Sequence, residues 1–323
     1  MRKRNGDTGV RRFDMVGLGY TALDYLGIIP HFPEQNKKLE LREFLVQGGG
    51  PAATAAVTAR RLGLSVSFIG KVGDDYPGER MLSELVTEGV DCSSVIVEHG
   101  AASQFAFIMV DAETGARTIL WTRGTVSPIE TPEVDLGLVI SAGALLVDSL
   151  EPTAARAAAR AAREEGIPVV MDAGTVREGV AELLPLCDFI VASEVFAGQI
   201  SEGGGAGEAL RSIFALGAEA AVVTLGERGC MALTGDGMIE VPGFPVRAVD
   251  TTGAGDVFHG AFLCAVLEGW DPYRMCLFAN AVAAMKCRRL GGRAGIPSRA
   301  EALAFLHERR PDITFRTGPP GGN

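Results

Sequence analysis

Short apolar runs alternate along the chain with segments in which apolar residues recur at helical spacing. The apolar runs predict strands at Phe13–Leu18 and at 66–72, 144–147, 169–172, 189–192 and 221–225. The periodic segments predict helices at 51–62, 80–88, 152–165 and 208–216. Strands separated by helices are typical of a parallel sheet that is covered by helices. The pattern therefore predicts an α/β fold with a central, mainly parallel sheet.

Two stretches interrupt this alternation, because about 31–47 and 102–122 contain strand-like pieces with no helix between them. In the second, 103–110 and Arg117–Thr122 flank a hairpin-like turn, Asp111-Ala-Glu-Thr-Gly115. These segments predict a small accessory sheet that covers a cleft as a lid. The alternative is two surface excursions with no role. We expect one domain over 13–310, with flexible ends at 1–12 and 311–323.

Composition and charge narrow the class of protein. The 323 residues are 47% hydrophobic and carry a formal net charge of −10. That charge argues against a general affinity for nucleic acid or anionic membranes. The six cysteines form no CxxC pair or metal spacing, no apolar run is long enough to span a bilayer, and the basic N-terminus precedes no signal-type apolar core. We expect a reducing, cytoplasmic compartment.

A glycine-rich turn carries the strongest chemical signal. Gly253-Ala254-Gly255-Asp256 precedes apolar residues at helical spacing over 257–266. A helix N-terminus binds phosphate through its N–H groups and dipole, and glycine lets the phosphate come close. Asp256 is then placed to accept a proton from a substrate hydroxyl during phosphoryl transfer. The alternative is that Asp256 only caps the helix, and the spacing alone favours neither.

Other candidate motifs are weak. The chain has no GxSxG elbow, HExxH motif or Walker A motif, and its four histidines show no metal spacing. The run Gly203-Gly-Gly-Ala-Gly207 precedes only a short predicted helix, so we interpret it as a loop. His259, in the helix that follows Asp256, is interpreted as a packing residue.

Four segments in order resemble the signatures of the ribokinase/PfkB carbohydrate kinase family. They are 48–63 (beginning Gly-Gly-Gly-Pro-Ala-Ala-Thr), 68–78, 223–229 and 250–262 (beginning Asp-Thr-Thr-Gly-Ala-Gly-Asp), and the resemblance spans roughly 13–306. It implies a ribokinase-like three-layer α/β/α sandwich with a central, mainly parallel sheet and a small β-sheet lid. It also implies ATP-dependent phosphorylation of a hydroxyl group on a sugar or sugar-like molecule, with Mg²⁺ and a monovalent cation such as K⁺.

The resemblance assigns roles to individual residues. Asp256 is the general base, and the amides of Gly253, Ala254 and Gly255 form an anion hole. The residues implied on the ATP side are Ser193, Thr224, Gly226, Gly229 and Asn280. The residues implied on the acceptor side are Asp24, Lys38, Gly48, Gly49 and Arg123. The monovalent cation is assigned to Asp250 and the carbonyl of Thr252.

Simpler interpretations stay open for several of these residues. Asn280 could be an ordinary polar residue on a helix surface, and Asp24 could lie in a surface turn. Lys38 and Arg123 could be solvated charges at the lid edge, and Asp250 could simply fix its turn.

The chain departs from the family pattern at three places. Ser193-Glu194-Val195-Phe196 stands where the family often has Asn-x-x-Glu, and Glu194 is the expected substitute that reaches Mg²⁺ through water. Ala53 stands where ribokinase has Asn, which argues against ribose. Segments 48–56, 255–260 and 286–297 look closest to the sulfofructose kinase branch, and Lys38 fits it. Trp121 and Leu150, however, replace the residues expected to contact a sulfonate.

Two alternative functions remain on this evidence. A nucleoside kinase on the same fold would need an aromatic pocket under the lid, which Phe105, Phe107 and Trp121 could form. A non-catalytic sugar or nucleotide sensor is the other, although a sensor would not need the base Asp256. Exposed edges of the lid sheet could pair between subunits, which predicts a homodimer.

Overall fold

An eight-stranded sheet forms the centre of the computed structural model, which describes residues 11–315. The strands in chain order are β1 (Phe13–Leu18), β2 (Ala22–Ile29), β3 (Glu43–Gly49), β4 (Val66–Ile69), β5 (Lys71–Gly73), β6 (Ile96–Glu98), β7 (Phe105–Asp111), β8 (Arg117–Thr122), β9 (Ala142–Asp148), β10 (Val169–Ala173), β11 (Phe189–Ser193), β12 (Ala220–Thr224), β13 (Cys230–Thr234) and β14 (Gly237–Val241).

The order in the central sheet is β14-β13-β12-β11-β10-β9-β1-β4. From β4 to β12 neighbouring strands pair in parallel, and β13 and β14 add an antiparallel edge. Every residue of β9 is buried, as expected for a parallel strand covered on both faces. The predicted mainly parallel sheet is confirmed.

Helices cover both faces of the sheet and complete the three layers. They are α1 (Pro51–Arg61), α2 (Tyr76–Thr87), α3 (Leu136–Ile140), α4 (Pro152–Glu164), α5 (Val180–Leu183), α6 (Glu194–Ile200), α7 (Gly205–Phe214), α8 (Ala254–Leu267), α9 (Pro272–Lys286) and α10 (Arg299–Arg309). One apolar core joins α1, α8, α9 and α10 to the sheet, and a second joins α4, α5 and α7 to its other face. Within the described residues, no helix is both long and apolar enough to cross a membrane.

Helix α8, which follows the predicted phosphate-binding turn, packs closely on α1 and so holds the turn next to it. A Cβ atom at Gly260 would lie 2.5 Å from the carbonyl oxygen of Ala55, so glycine allows the two helices to approach. Gly50 precedes α1 with φ +88°, and the chain passes there directly from lid strand β3 into α1. The lid and the turn before α8 are therefore both attached to α1.

The lid is a separate four-stranded sheet with the order β3-β2-β7-β8. Its hairpin turn lies where predicted, with the Asp111 N–H donating to the Ala116 carbonyl at 2.8 Å. The predicted first lid segment, 31–47, is mostly an exposed loop between β2 and β3. Strand β2 was not predicted because most of its residues are buried, whichever face of the strand they lie on. Its sequence therefore lacks the polar–apolar alternation that indicates a half-exposed strand.

Two other boundaries and one hairpin differ from the prediction. The run 66–72 divides at Gly70, because β5 leaves the central sheet and pairs with β6. Helix α2 starts at Tyr76, where the Asp75 carboxylate caps it by accepting from the Gly78 N–H at 3.1 Å. The hairpin β13–β14 was not predicted. The two ends predicted to be flexible, 1–12 and 311–323, lie mostly outside the described residues. Only 11–12 and 311–315 of these ends are described.

Candidate active site

The predicted phosphate-binding turn forms the amino-terminal end of α8. Gly253 is its N-cap residue and has φ +72°, a conformation that favours glycine. A Cβ atom at Gly255 would meet no described atom within 4 Å. The N–H groups of Gly253 and Gly255 have no acceptor among the described residues, whereas the Ala254 N–H donates to the Thr251 carbonyl at 3.3 Å. The turn therefore offers N–H groups and open space to an anion.

Asp256 lies in the first turn of α8, immediately after these N–H groups. Its carboxylate does not cap the helix and accepts no hydrogen bond from residues 11–315. The helix-cap alternative is therefore wrong. Burial raises the pKa of Asp256, and the positive charges of His259, Arg117 and Lys286 oppose this rise. A carboxylate with a raised pKa and a free acceptor is suited to accept a proton.

His259 fixes the first turn of α8 to the central sheet. Its Nδ1 lies 2.6 Å from the Gly255 carbonyl oxygen and its Nε2 lies 3.0 Å from the Val191 carbonyl oxygen of β11. A ring nitrogen that carries a proton donates to its carbonyl, and Asp172 Oδ2 lies 3.3 Å from Nδ1. Burial raises the pKa of Asp172 to about 7 against the attraction of His259. Besides packing, the ring thus holds the turn in place.

The acceptor side is built around Asp24, on lid strand β2. This carboxylate is 7% exposed and makes no hydrogen bond to the described residues, so it is not in a surface turn. A Cβ atom at Gly49 would collide with it. Burial raises the pKa of Asp24 to about 7, although Arg293 lowers it, and the charge of Asp256 raises it further. Asp24 and Asp256 are therefore close enough to interact.

Arg293 is a buried residue of this site that the sequence did not indicate. Its Nη2 donates to the Gly49 carbonyl at 2.9 Å and its Nε to Thr54 Oγ1 at 3.3 Å. A Cβ atom at Gly48 would lie 2.5 Å from its Nη1. The predicted glycine pair is thus required because Asp24 and Arg293 pack directly on it.

The guanidinium of Arg123 forms hydrogen bonds, whereas the side chain of Lys38 forms none to the described residues. Arg123 donates to the Glu151 carboxylate at 2.5 Å and to the Leu150 carbonyl at 2.7 Å, so its guanidinium is not a free charge at the lid edge. Lys38 is exposed in the loop between β2 and β3, with no hydrogen bond or ion pair to the part of the chain described. Neither residue forms a hydrogen bond or an ion pair with Asp24.

The strand register separates the three aromatic residues of the nucleoside hypothesis. Asp24 pairs with Ala106, and Ala106 pairs with Trp121, so Trp121 shares a face of the lid with Asp24. Successive residues of a strand face opposite sides, so Phe105 and Phe107 lie on the other face. An aromatic pocket of these three residues under the lid is therefore ruled out.

Trp121 instead borders a cavity beside the acceptor side. Its ring meets that of Tyr20 edge to face at 6.0 Å, and the Arg177 guanidinium lies 5.4 Å from its centre. The cavity measures about 610 Å³, and Leu150 is also among its lining residues.

Four of the five residues expected on the ATP side lie at the carboxyl ends of β11 and β12 and in the turn that follows, and the fifth, Asn280, lies on α9. Thr224 Oγ1 donates to the Ala192 carbonyl at 3.3 Å. Gly226 and Gly229 have φ of +61° and +92°, and a Cβ atom at Gly229 would collide with the Val241 carbonyl. This turn needs both glycines.

Ser193 and Asn280 already have protein partners. The Ser193 hydroxyl donates to the Gly174 carbonyl at 2.7 Å and accepts from the Phe196 N–H, which caps α6. Asn280 is buried, so it is not a surface residue, and its amide donates to the Val241 carbonyl at 3.2 Å. It anchors the end of β14 beside Gly229.

Glu194, the residue predicted to reach Mg²⁺ through water, lies in the first turn of α6. Glu194 is exposed and forms an ion pair with Arg228. No group of three acidic, histidine or cysteine side chains within residues 11–315 could hold a metal ion. Mg²⁺ commonly reaches such proteins through nucleotide phosphates and water.

The predicted monovalent-cation site already contains a cation of the chain itself. Lys286 Nζ donates to the carbonyl oxygens of Asp250, at 2.9 Å, and of Thr252. The Asp250 carboxylate accepts from the N–H groups of Thr252, at 2.7 Å, and Gly291, at 2.8 Å. These residues therefore do not fit a K⁺ site, and no motif had indicated a role for Lys286.

Asp148 is a structural carboxylate, like Asp250, but the sequence analysis did not indicate it. At the end of β9 it accepts from the N–H groups of Tyr20 at 2.7 Å, Leu150 at 2.9 Å and Ala52 at 3.3 Å. Burial raises its pKa to about 6. It ties the start of the lid and the start of α1 to the central sheet.

Comparison with known proteins gives concordant matches. The family model described as pfkB family carbohydrate kinase matches residues 14–299. Ribokinase of Haemophilus influenzae is 29% identical over 90% of this chain and 97% of its own length. A nucleoside kinase of Methanothermobacter thermautotrophicus is 27% identical over 90% and 94%. The crystal structure of ribokinase from Thermotoga maritima superposes with a TM-score of 0.79, at 26% identity, over 91% of this chain and 99% of that one.

Proposed function

The chain belongs to the PfkB family of carbohydrate kinases, and we propose that it transfers the γ-phosphoryl group of ATP to a sugar hydroxyl with Asp256 as the base. One observation carries this proposal. The free carboxylate of Asp256 directly follows an open helix N-terminus, and its charge acts on Asp24, a buried carboxylate without a hydrogen-bond partner among the described residues.

The two carboxylates have complementary parts in the reaction. Asp24 accepts hydrogen bonds from acceptor hydroxyls, since a carboxylate can accept from two hydroxyls at once. Asp256 accepts the proton of the attacking hydroxyl, while the free N–H groups of Gly253 and Gly255 hold the transferred phosphoryl group. His259 keeps these N–H groups fixed to β11.

The lid sheet completes the site by covering it. Asp24 is supplied by the lid itself, and Arg117 Nη1 of β8 lies 3.4 Å from Thr251 Oγ1, beside the phosphate-binding turn. Water excluded by this cover would otherwise compete with the sugar as the acceptor. Mg²⁺ would supply charge neutralisation on the ATP phosphates, and no residue of the chain is assigned to it.

A sugar is the favoured acceptor, because Phe105 and Phe107 face away from Asp24 and only Trp121 shares its side of the lid. Nucleosides are also to be tested as acceptors, because one relative is a nucleoside kinase. A sensor role has no support, since a binding protein would not need the free base.

We also propose a homodimer through the lid. Tyr25, Phe107 and Leu120 occupy one row of the lid sheet on the face opposite Asp24, and Phe107 and Leu120 are more than half exposed. Contiguous exposed apolar surface of this kind commonly marks a protein–protein contact.

Direct measurement of ADP release with ATP, Mg²⁺ and a panel of sugars, sugar phosphates, sulfonated sugars and nucleosides tests the function. Acceptor-dependent release with a sugar-type compound is expected. Release with nucleosides alone would favour the nucleoside kinase, and the absence of acceptor-dependent release across the panel would contradict kinase function.

A further inference from the structure

A fully buried ammonium group lies directly behind the phosphate-binding turn. Lys286, the last residue of α9, has no exposed surface. Its Nζ binds two backbone carbonyls of the segment that leads into α8, those of Asp250 and Thr252. Burying a charge is costly unless hydrogen bonds and an opposite charge compensate it. Burial accordingly lowers the pKa of Lys286, and Asp250 opposes this effect.

These two contacts fix the orientation of two peptide planes. In a planar trans peptide, the C=O and the following N–H point in opposite directions. The N–H that follows the Asp250 carbonyl belongs to Thr251 and donates to the lid turn, at 3.1 Å from the Gly115 carbonyl oxygen. The N–H that follows the Thr252 carbonyl belongs to Gly253 and makes no hydrogen bond to the described residues. Lys286 thus turns the Gly253 N–H away from itself and leaves it available to an anion.

We propose that Lys286 is a positioning residue that acts as a built-in monovalent cation, so that phosphoryl transfer by this enzyme needs no K⁺. Its charge orients and polarises the peptides of the anion hole from behind, as a bound cation would. The inference rests on the proposed function, because it concerns the same anion hole.

The surrounding groups leave too few free oxygens for a second cation at this place, since the unpartnered buried hydroxyl of Thr252 cannot hold a cation by itself. Both carboxylate oxygens of Asp250 accept backbone N–H groups, and the two nearby carbonyls accept from Lys286. An added cation would therefore meet oxygens that are already used, next to a like charge.

The first experiment uses the unmodified protein. Initial rates are measured with about 0.1 M KCl or about 0.1 M tetramethylammonium chloride, so that ionic strength is equal. ADP is quantified directly by chromatography, which avoids a coupling enzyme with its own cation requirement. Rates that agree within about twofold are expected. A strong loss of rate without K⁺ would overturn the proposal.

The second experiment removes the ammonium group. For Lys286→Ala in tetramethylammonium chloride, kcat should fall about 10- to 100-fold, the size expected when an anion hole loses its preorganisation. K⁺ or NH₄⁺ should restore at least about fivefold of this loss, since either ion can enter the vacated space. A purely structural role for Lys286 would not produce rescue that depends on the cation. Arg288→Ala, an exposed basic residue two positions away, is the matched control and should respond to neither salt.

Thermal unfolding gives a readout that does not require turnover. K⁺ should raise the Tm of Lys286→Ala above its value in tetramethylammonium chloride, because a ligand of the native state stabilises it. The Tm of the unmodified protein and of Arg288→Ala should be equal in the two salts. Lys286→Gln serves if Lys286→Ala does not fold, since its amide can still donate to a carbonyl.

The two proposals fail in different ways. If no acceptor releases ADP in either salt, the proposed function fails, and the Tm comparison still decides whether Lys286 replaces a cation. If the unmodified enzyme is active only with K⁺, the function stands and the proposed role of Lys286 is wrong. The same conclusion follows if K⁺ raises the Tm of the unmodified enzyme but not that of Lys286→Ala.

Discussion

Replacing Gly255 by alanine separates the binding of phosphate from the stability of the helix. Gly255 lies in the first turn of α8, its φ is not in the left-handed region, and a Cβ atom there would meet no described atom within 4 Å. Alanine is favoured over glycine in a helix by about 0.5–1 kcal/mol, so the Tm should be unchanged or rise by about 1–3 °C. The new methyl group would occupy the space proposed for the phosphoryl group.

The expected result is therefore a protein of undiminished stability with impaired catalysis. We expect kcat to fall by about 100-fold, comparable to the loss of one anion-hole donor. Gly198→Ala is the control, since Gly198 also lies inside a helix and a Cβ atom there meets nothing within 4 Å. It should gain similar stability and keep full activity. Calorimetry and initial rates on both variants decide the matter, and unimpaired turnover of Gly255→Ala would refute the placement of the phosphoryl group.

Two further predictions concern the lid. Asp24→Asn should be more stable than the unmodified protein, by an amount that grows as pH rises from about 4 to about 7 and is level above that. The reason is that burial raises the pKa of the Asp24 carboxyl from 3.8 to about 7 in the folded protein. The protonated carboxyl favours the fold at low pH, and the unmodified protein loses this stabilisation on ionisation, by at most about 1.4 kcal/mol per pH unit. Urea unfolding at several pH values measures the difference between the two proteins, and an advantage of Asp24→Asn that shrinks with rising pH would contradict the prediction. Phe107→Ser combined with Leu120→Ser should give a monomer by sedimentation without loss of fold, and an unchanged oligomeric state would exclude this face as the contact.

Sequence reasoning succeeded where the signal is local. The alternation of strands and helices fixed the layered fold, and the Gly253-Ala254-Gly255 turn could be placed at a helix N-terminus from the apolar spacing that follows it. The hairpin at Asp111–Gly115 was equally readable, because its turn residues are contiguous.

The missed features depend on contacts between distant parts of the chain. Arg293 binds the carbonyl of Gly49, and Lys286 binds those of Asp250 and Thr252, yet each has the sequence surroundings of an exposed basic residue. The two faces of the lid could not be assigned either, since they depend on the register that pairs Ala106 with Asp24 and Trp121. A shift of one residue would have reversed them.

Turnover by Asp256→Asn tests the central claim most directly. The amide has nearly the shape of the carboxylate but cannot accept the hydroxyl proton, so kcat should fall by about 100- to 10,000-fold while the affinity for ATP is retained. Asp236→Asn, at an exposed turn between β13 and β14, is the control and should be fully active. Turnover of Asp256→Asn within tenfold of the unmodified enzyme, about 1.4 kcal/mol in barrier, would contradict the assignment of Asp256 as the base.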